Sequence, residues 1–541
     1  MNSIQKHTEK NLHANDAYIW LDHGGVWRAY IDYETSFLSF ELLLEALKTR
    51  KVRRIFVADM NRACYFILQH VKARKMRYAG GNYYKFKAKD MEWISVDHVF
   101  RMPFVNLCQE LELGRPNGSA VRLLVDTIED FAGLELGTHF TTIGALAWLK
   151  LQEFGIPDEI KNTYPFNIQK YEWYKENNLY RGGLCMLNTK FKDKDKRNLF
   201  KYDKNSFFPY VLAYCNMPQG RSVIIKGKPE GTLNDRWIHI KWSANAKFDC
   251  LAPHKGLQSW LDQEEWILGD ELEELMEWYE VFDIEYIEYK VYHWNRPDPM
   301  FQEFVEFYYP QKKSAVGIRR QLVKLILNNT YGKFAENPYN QQVRQDGNRF
   351  HIAKEKIVDE RTGKTVEREK QNPIYSKATE HSLAVAAKVS AMARAILLRD
   401  IRLATKGRPD LYFAYADTDS MILTIPYEDT GDELGKFKFE GRFTHGVVRN
   451  KKCYMLYDGE DYECHACGVN RAAIQEAVEG KPWNEAMKIF DYGTEFMCPT
   501  LVEGKIEMRP RRISNGFAKS TFNATYCYYE EEQGEFDYGR E

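Results

Sequence analysis

At 541 residues the chain is far longer than one hydrophobic core can organise, and at about 150 residues per domain it should divide into three or four units. Hydrophobic residues make up 44% of it and aromatics 14%, which excludes an intrinsically disordered chain. Its 76 basic and 77 acidic residues leave a net charge of −1, so bulk charge announces no nucleic-acid partner, although Lys and Arg gathered along one groove would still bind phosphates.

In chain order, A-Y-I-W-L-D (17–22) and V-W-R-A-Y-I-D (26–32) read as two short strands joined by His-Gly-Gly, which suits a tight hairpin. No apolar run of signal-peptide or membrane-spanning length precedes them, so a soluble cytoplasmic protein with no membrane partner is expected. A helix, S-F-E-L-L-L-E-A-L-K (39–48), and a strand, R-R-I-F-V-A-D (53–59), follow, and the chain opens as α/β. Y-R-G-G (180–183) closes a first domain, and L-F-K-Y-D (199–203) is a strand ending on an acid. From 301 to 334 the pattern is helical, with Leu322, Leu325 and Ile326 on one face. The charged stretch 357–369, centred on Arg-Thr-Gly-Lys, reads either as a protruding β-hairpin or as a solvated loop. Residues 412–416 and 421–424 are strands flanking D-T-D. The ten cysteines form no disulfide-like framework; Cys464 and Cys467 are a lone C-x-x-C on a strand-like pattern, where positions three apart face opposite sides, and this favours a structural role over zinc.

Three segments carry chemistry. In A-Y-A-D-T-D-S-M-I-L (414–423), Asp417 and Asp419 lie two apart at a turn between strands and project to one side, a density of charge that suits a divalent cation; an ordinary surface turn is an equal alternative for this segment alone. In D-K-N-S-F-F-P (203–209), Asp203 ends an apolar strand, as a metal ligand would, and Pro209 blocks the strand's continuation. In K-L-I-L-N-N-T-Y-G-K (324–333), Lys324, Asn328 and Tyr331 share a helix face on which a cation, an amide and an aromatic ring could meet a triphosphate, a sugar and a base. The polar outer face of an amphipathic helix is the bland alternative.

Taken together, D-x-x-S-x-x-P, K-x-x-x-N-x-x-Y-G and Y-x-D-T-D-S resemble motifs A, B and C of the family B DNA polymerases, in that order. Y-R-G-G is similar to the link between exonuclease and polymerase domains in the protein-primed subgroup of viruses and linear plasmids, and K-C-Y (452–454) to its K-x-Y motif. The resemblance implies an α/β and α+β multidomain fold: a degenerate RNase H-like exonuclease domain over 1–178, palm and fingers over 179–454 with insertions near 218–300 and 338–373, and a thumb and C-terminal region over 455–541. It implies template-directed, protein-primed DNA synthesis, with catalytic Asp203, Asp417 and Asp419, of which Asp203 and Asp419 would hold two Mg²⁺ (or Mn²⁺) ions. Phe208, Lys312, Lys324, Asn328 and Tyr331 would bind the nucleotide, and Tyr180, Gly182, Gly183, Lys452 and Tyr454 the DNA. Phe208 stands where the family usually has Tyr, keeping the bulk that would exclude a 2′-hydroxyl. The implied partners are primer-template DNA, dNTPs and a terminal protein, bound by a monomer. Arg509 to Arg512 is a thumb contact to duplex phosphates or a plain basic cluster.

The N-terminal domain departs from the family pattern. Asp22-His23-Gly24 lacks the glutamate of a D-x-E motif, whereas Asp32-Tyr33-Glu34 has the letters but lies on the second strand; A-D-M-N (58–61) replaces the second motif, and Arg122 stands where the third, ending at Asp126, would have Tyr. Proofreading is therefore expected to be lost, with the acids at 32, 34, 59 and 126 as the counter-argument. A metal-dependent nuclease or phosphohydrolase using the same carboxylates is the competing function, for which the helix of Lys324, Asn328 and Tyr331 has no evident use.

Overall fold

Apolar strands alternating with amphipathic helices build the first layer of the molecule. The computed structural model describes residues 15–529 except 80–81, 101, 156–162, 165–167, 342, 347–348, 353, 359–364, 370, 374–381, 503–504, 515–517 and 521–526. The first elements are β1 (Asp16–Leu21), β2 (Trp27–Tyr30), β3 (Glu34–Phe37), α1 (Phe40–Thr49), β4 (Arg54–Ala58), α2 (Met60–His70), β5 (Arg74–Ala79), β6 (Asn82–Ala88), β7 (Met91–Ser95), α3 (Phe104–Glu110), α4 (Gly118–Ala132) and α5 (Ile143–Leu151). They form a seven-stranded sheet in the order β3-β2-β1-β4-β7-β6-β5, with β1, β4 and β7 parallel. Successive residues of β1 point to opposite faces, so Ala17, Ile19 and Leu21 pack with α1 and α2, whereas Tyr18 and Trp20 pack with α3 and α4. The second strand ends at Tyr30 rather than Asp32, which places Asp32 in the bend before β3.

The next group is β8 (Cys185–Leu187), β9 (Lys196–Lys204), α6 (Phe207–Tyr214), β10 (Met217–Lys226), β11 (Trp237–Ala246), β12 (Ser259–Leu268), α7 (Gly269–Trp278), β13 (Tyr279–Arg296), α8 (Pro299–Ser314) and α9 (Gly317–Lys333). Strands β10 to β13 make a separate four-stranded antiparallel sheet within the region expected as the first insertion. The helical stretch 301–334 is two helices rather than one, because the chain leaves α8 in an extended conformation at Ala315 and Val316 and re-enters at Gly317, whose φ of 57° is costly for any residue with a Cβ.

Within 339–373 six short strands pair as ribbons: β14 (Tyr339–Gln341) with β19 (Gln371–Pro373), β15 (Val343–Asp346) with β16 (Arg349–Ile352), and β17 (Lys354–Val358) with β18 (Thr365–Glu369). The pairing of Val358 with Thr365 makes 357–369 a hairpin, whose Arg-Thr-Gly-Lys turn lies outside the described residues. Then come α10 (Leu383–Ala404), β20 (Phe413–Asp417), β21 (Ser420–Leu423), β22 (Phe437–Asn450), β23 (Cys453–Tyr457), β24 (Tyr462–Ala466), α11 (Arg471–Val478), α12 (Trp483–Ile489), β25 (Glu495–Val502) and β26 (Lys505–Arg512). A second seven-stranded sheet, β24-β23-β22-β9-β21-β20-β8, sets β9, β21 and β20 side by side. The architecture is multidomain α/β, and no helix among the described residues is long and apolar enough to cross a membrane.

A buried ion pair ties these parts together. The guanidinium of Arg394 on α10 donates through Nε and Nη2 to the two carboxylate oxygens of Glu271 on α7, both at 2.7 Å. Its Nη1 donates to the carbonyls of Gly182 and Arg181, at 2.9 and 3.2 Å. Burial pushes the Glu271 carboxyl up, but Arg394 outweighs this and holds it below the usual carboxylate range. Because Glu271→Ala would leave Arg394 buried without its partner, we expect a loss of about 3–5 kcal/mol of stability, read as a lower denaturant midpoint. A loss under about 1 kcal/mol would show that the pair behaves as a solvated one.

Candidate active site

Strand pairing brings together acids more than two hundred residues apart in sequence. Asp203, near the end of β9, lies opposite Ser420 on β21, and the Lys204 amide donates to the Asp419 carbonyl at 2.9 Å. Between β20 and β21, Thr418 takes a left-handed φ of 65°, and the Asp419 amide folds back onto the Asp417 carbonyl at 2.7 Å. The Y-R-G-G link buttresses this turn. The Thr418 amide donates to Leu184 at 2.6 Å, and a Cβ on Gly183 would stand 2.9 Å from Thr418 Cγ2, so only glycine lets the link approach this closely.

The two carboxylates of the pair are half-buried. Burial, then the charge of Glu440, push Asp203 up to about 6 against the pull of Lys201, Lys312 and Lys324. Burial, then Asp203 and Asp417, push Asp419 up to about 7. Such a pair is short of positive charge, and oxygen donors with excess negative charge suit a hard divalent cation. Among the described residues no group of three or more His, Cys, Asp or Glu side chains is gathered to hold a metal, so Asp203 and Asp419 stand as a pair, and Cys464 and Cys467 belong to no such group. Asp417 is engaged elsewhere: its two oxygens accept from Lys452 Nζ at 2.8 and 2.9 Å, and one of them from the Thr418 hydroxyl at 3.0 Å.

The nucleotide-side residues converge on the same place. Lys312 Nζ donates to Ser206 Oγ at 2.8 Å, and burial, then Lys324 and Arg320, lower its pKa. The Phe208 and Tyr331 rings stack with centroids 4.8 Å apart and planes 7° from parallel. Burial, then Tyr180 and Asp419, raise the Tyr331 hydroxyl, which sets Tyr180 and Asp419 beside it. Lys324 and Asn328 are exposed on α9, four residues apart. Tyr454 donates to Glu463 at 3.0 Å, and its ring lies 5.4 Å from that of Tyr415. Gly182 offers its carbonyl to Arg394. Arg509 to Arg512 lie on the β25–β26 ribbon. Sequence reasoning missed Glu440, which sits at a bulge where β22 slips against β9, and Ser206 as the partner of Lys312; the first has no local signal, and the second is visible only once α6 and α8 are packed.

The N-terminal acids are dispersed. Glu34 accepts from the Gly118 amide at 3.2 Å and from the Ser119 amide and hydroxyl at 2.7 Å each, serving the start of α4. Asp32 pairs with Arg50 and Asp126 with Arg122. Asp22 accepts from the Val26 amide and Arg28, and Asp59 from Trp20 Nε1 at 2.9 Å and the Phe104 amide at 3.1 Å. Asp22, Asp59 and Asp97 follow the carboxyl ends of β1, β4 and β7, and Asp97 was not among the acids singled out from sequence.

Residues 138–403 match the family model described as DNA polymerase type B, organellar and viral. The DNA polymerase of Bacillus phage Nf is 28% identical over 177 residues, 29% of this chain and 30% of that protein. That of Bacillus phage B103 is 26% identical over 316 residues, 53% of this chain and 51% of that protein. In these two matches the chain spans between about a third and a half of its relative's length. A solved structure of phi29 DNA polymerase, complexed with primer-template DNA and incoming nucleotide substrates, superposes with a TM-score of 0.71 at 16% identity, over 92% of this chain and 99% of that one. The chain is homologous to the phi29-like, protein-primed family B DNA polymerases. Its polymerase-like fold therefore spans almost the whole of that relative, including the sheet with the dispersed acids.

That sheet has a titration of its own. Burial, then Asp59, push the Asp97 carboxyl up to about 7. The folded state thus holds a proton at Asp97 that the unfolded chain releases near pH 4, so stability falls as pH rises from about 4 to about 7, by up to about 1.4 kcal/mol per pH unit. Asp97→Asn should flatten this slope in urea titrations at several pH values; an unchanged slope would place the titration elsewhere.

Proposed function

We propose that the chain is a template-directed DNA polymerase that transfers nucleotidyl groups from dNTPs to a primer end, with protein-primed initiation on a terminal protein and action as a monomer. The observation that carries the reading is the meeting of Asp203 and Asp419 with Lys312, Lys324 and the Phe208–Tyr331 stack at one sheet end. In this reading the second sheet is the palm, α8 and α9 the fingers, and the β25–β26 ribbon the thumb. Asp203 and Asp419 hold two Mg²⁺ ions (or Mn²⁺), which when bound lower the pKa of the attacking hydroxyl and neutralise charge on the departing phosphates.

The other roles follow from the contacts. Lys312, kept at the end of α8 by Ser206, and the exposed Lys324 meet the triphosphate. Phe208, backed by Tyr331, presents a flat wall to the sugar and excludes a 2′-hydroxyl by bulk. Asn328 faces the nascent pair. Asp417 acts through Lys452, whose ammonium it orients toward the primer end beside Tyr454. Tyr180, Gly182 and Gly183 form the link along which the template runs.

Asp419→Asn should abolish dNTP incorporation, a loss of at least about a thousandfold, and leave primer-template affinity nearly intact, because the missing charge acts on the phosphates rather than on duplex docking. Primer extension and a filter-binding titration measure the two. Extension at the wild-type rate would sink the reading.

The N-terminal domain, in the same proposal, is a nuclease-like fold without proofreading, since Glu34 and Asp32 serve the scaffold. A labelled, mispaired primer incubated with Mg²⁺ and no dNTPs should keep its length. Shortening that disappears in Glu34→Ala would restore Asp32 and Glu34 as a working nuclease motif.

A further inference from the structure

The acids of the first sheet lie beyond the carboxyl ends of β1, β4 and β7; the opposite end of the same sheet is basic. The register settles which residues share that end. Arg54 opens β4 opposite Glu92 on β7, Lys87 near the end of β6 pairs with Glu92, and Arg74 at the start of β5 pairs with Lys87. Just before β4 stand Lys51 and Arg53, just before β5 stands Lys72, and Lys89 makes the turn from β6 to β7. Lys51, Arg53, Lys72, Arg74, Lys87 and Lys89 are all exposed. From β4 through β7 and β6 to β5 is three strand spacings, so the residues spread over about 14 Å.

Counter-charge at this end is already committed. Asp16 is paired with Arg54, and Asp32 with Arg50. Glu92 lies 2.8 Å from Lys85 and 3.4 Å from Lys87. Among the described residues no ion pair engages Lys51, Arg53, Lys72, Arg74 or Lys89, and Asp90 is the exposed acid left beside them. Five uncompensated cations on adjoining loops, in a chain of net charge −1, raise the local potential at some cost in mutual repulsion. The hairpin that carries them continues the pattern: the register sets Arg77 opposite Lys85 and Tyr78 opposite Tyr83, interleaving basic and aromatic positions along β5 and β6. Basic positions interleaved with aromatic ones are the sequence composition of a single-strand platform.

We propose that this end of the sheet is a second nucleic-acid site, separate from the polymerase groove, that binds the phosphodiester backbone of single-stranded DNA. It rests on the reading of the chain as a DNA-handling enzyme and on none of the residues assigned to synthesis.

The test uses the full chain saturated with an unlabelled hairpin primer-template, so that the polymerase groove is filled. Photoreactive oligo(dT) is added in one arm and photoreactive duplex in the other, and crosslinked peptides are mapped. We expect crosslinks within 48–53 and 72–89 in the single-strand arm, and a weaker, less salt-sensitive complex for the variant K51Q/R53Q/K72Q/R74Q/K89Q. The slope of log affinity against log salt should fall by about 3.5, at about 0.7 for each of the five lost phosphate contacts. The charge-keeping variant K51R/R53K/K72R/R74K/K89R should bind as the wild type does. Wild-type slopes in the glutamine variant, crosslinks confined to other segments, equal loss in the charge-keeping variant, or crosslinks in the duplex arm alone would each overturn the proposal. Primer extension on a short template, unchanged in both variants, reports separately on the polymerase reading: extension without these crosslinks removes the second site only, and crosslinks without extension remove the polymerase only.

Discussion

Two half-buried carboxylates short of positive charge organise the centre of the molecule. Main-chain pairing places Asp203 on β9 beside Asp419 in the turn before β21, and burial and neighbouring carboxylates, Glu440 for Asp203 and Asp203 and Asp417 for Asp419, disfavour ionisation of both. Positive charge must therefore be brought to them. Lys201, Lys312 and Lys324 act on Asp203 and Lys452 acts on Asp419, each from a different element. In the proposed function those elements bring a cation and a polyphosphate to the same sheet end.

The scaffold's task is to keep the turn between β20 and β21 from relaxing. Thr418 in the left-handed region stores backbone strain, which persists only where the surroundings over-determine it. Here they do: the Leu184 carbonyl accepts from Thr418, Gly183 allows the approach, and Arg394 fixes the two carbonyls before Gly183 while anchored on Glu271. Glu271 belongs to α7, beside the four-stranded sheet of β10 to β13. The helix that follows β12 is thus wired by a buried ion pair to the link beside the carboxylates.

The first sheet shows the same physics with the opposite outcome. Its acids lie beyond the carboxyl ends of parallel strands, and each accepts from a donor: Arg28 for Asp22, the indole of Trp20 for Asp59, Ser95 for Asp97. Glu34 is spent on the start of α4. Asp22 and Asp59 are answered in this way, whereas burial and Asp59 keep the Asp97 carboxyl raised to about 7 despite Ser95. At the other end of that sheet the balance reverses, and cations are left over.

Much of this was legible in the residues. The order D-x-x-S-x-x-P, K-x-x-x-N-x-x-Y-G, Y-x-D-T-D-S marked Asp203, the Lys324 helix and the acidic turn, and period and turn residues gave β1, β2, α1 and β4 within a few positions, because local periodicity and tight turns are written in neighbouring residues, while 357–369 stayed open between hairpin and loop until its pairing was seen. Other features were decided only by tertiary packing. That Asp417 is taken by Lys452, that Glu440 presses on Asp203, that Ser206 holds Lys312, and that the helical stretch 301–334 breaks at Gly317 all depend on register, a bulge or contacts across the fold. The letters of Asp32 and Glu34 match a nuclease motif, but a strand that stops at Tyr30 sends one to Arg50 and the other to α4. Sequence fixes which groups can ionise; where their charge is answered is set by which strands and helices come to lie beside them, and that is a property of the whole chain.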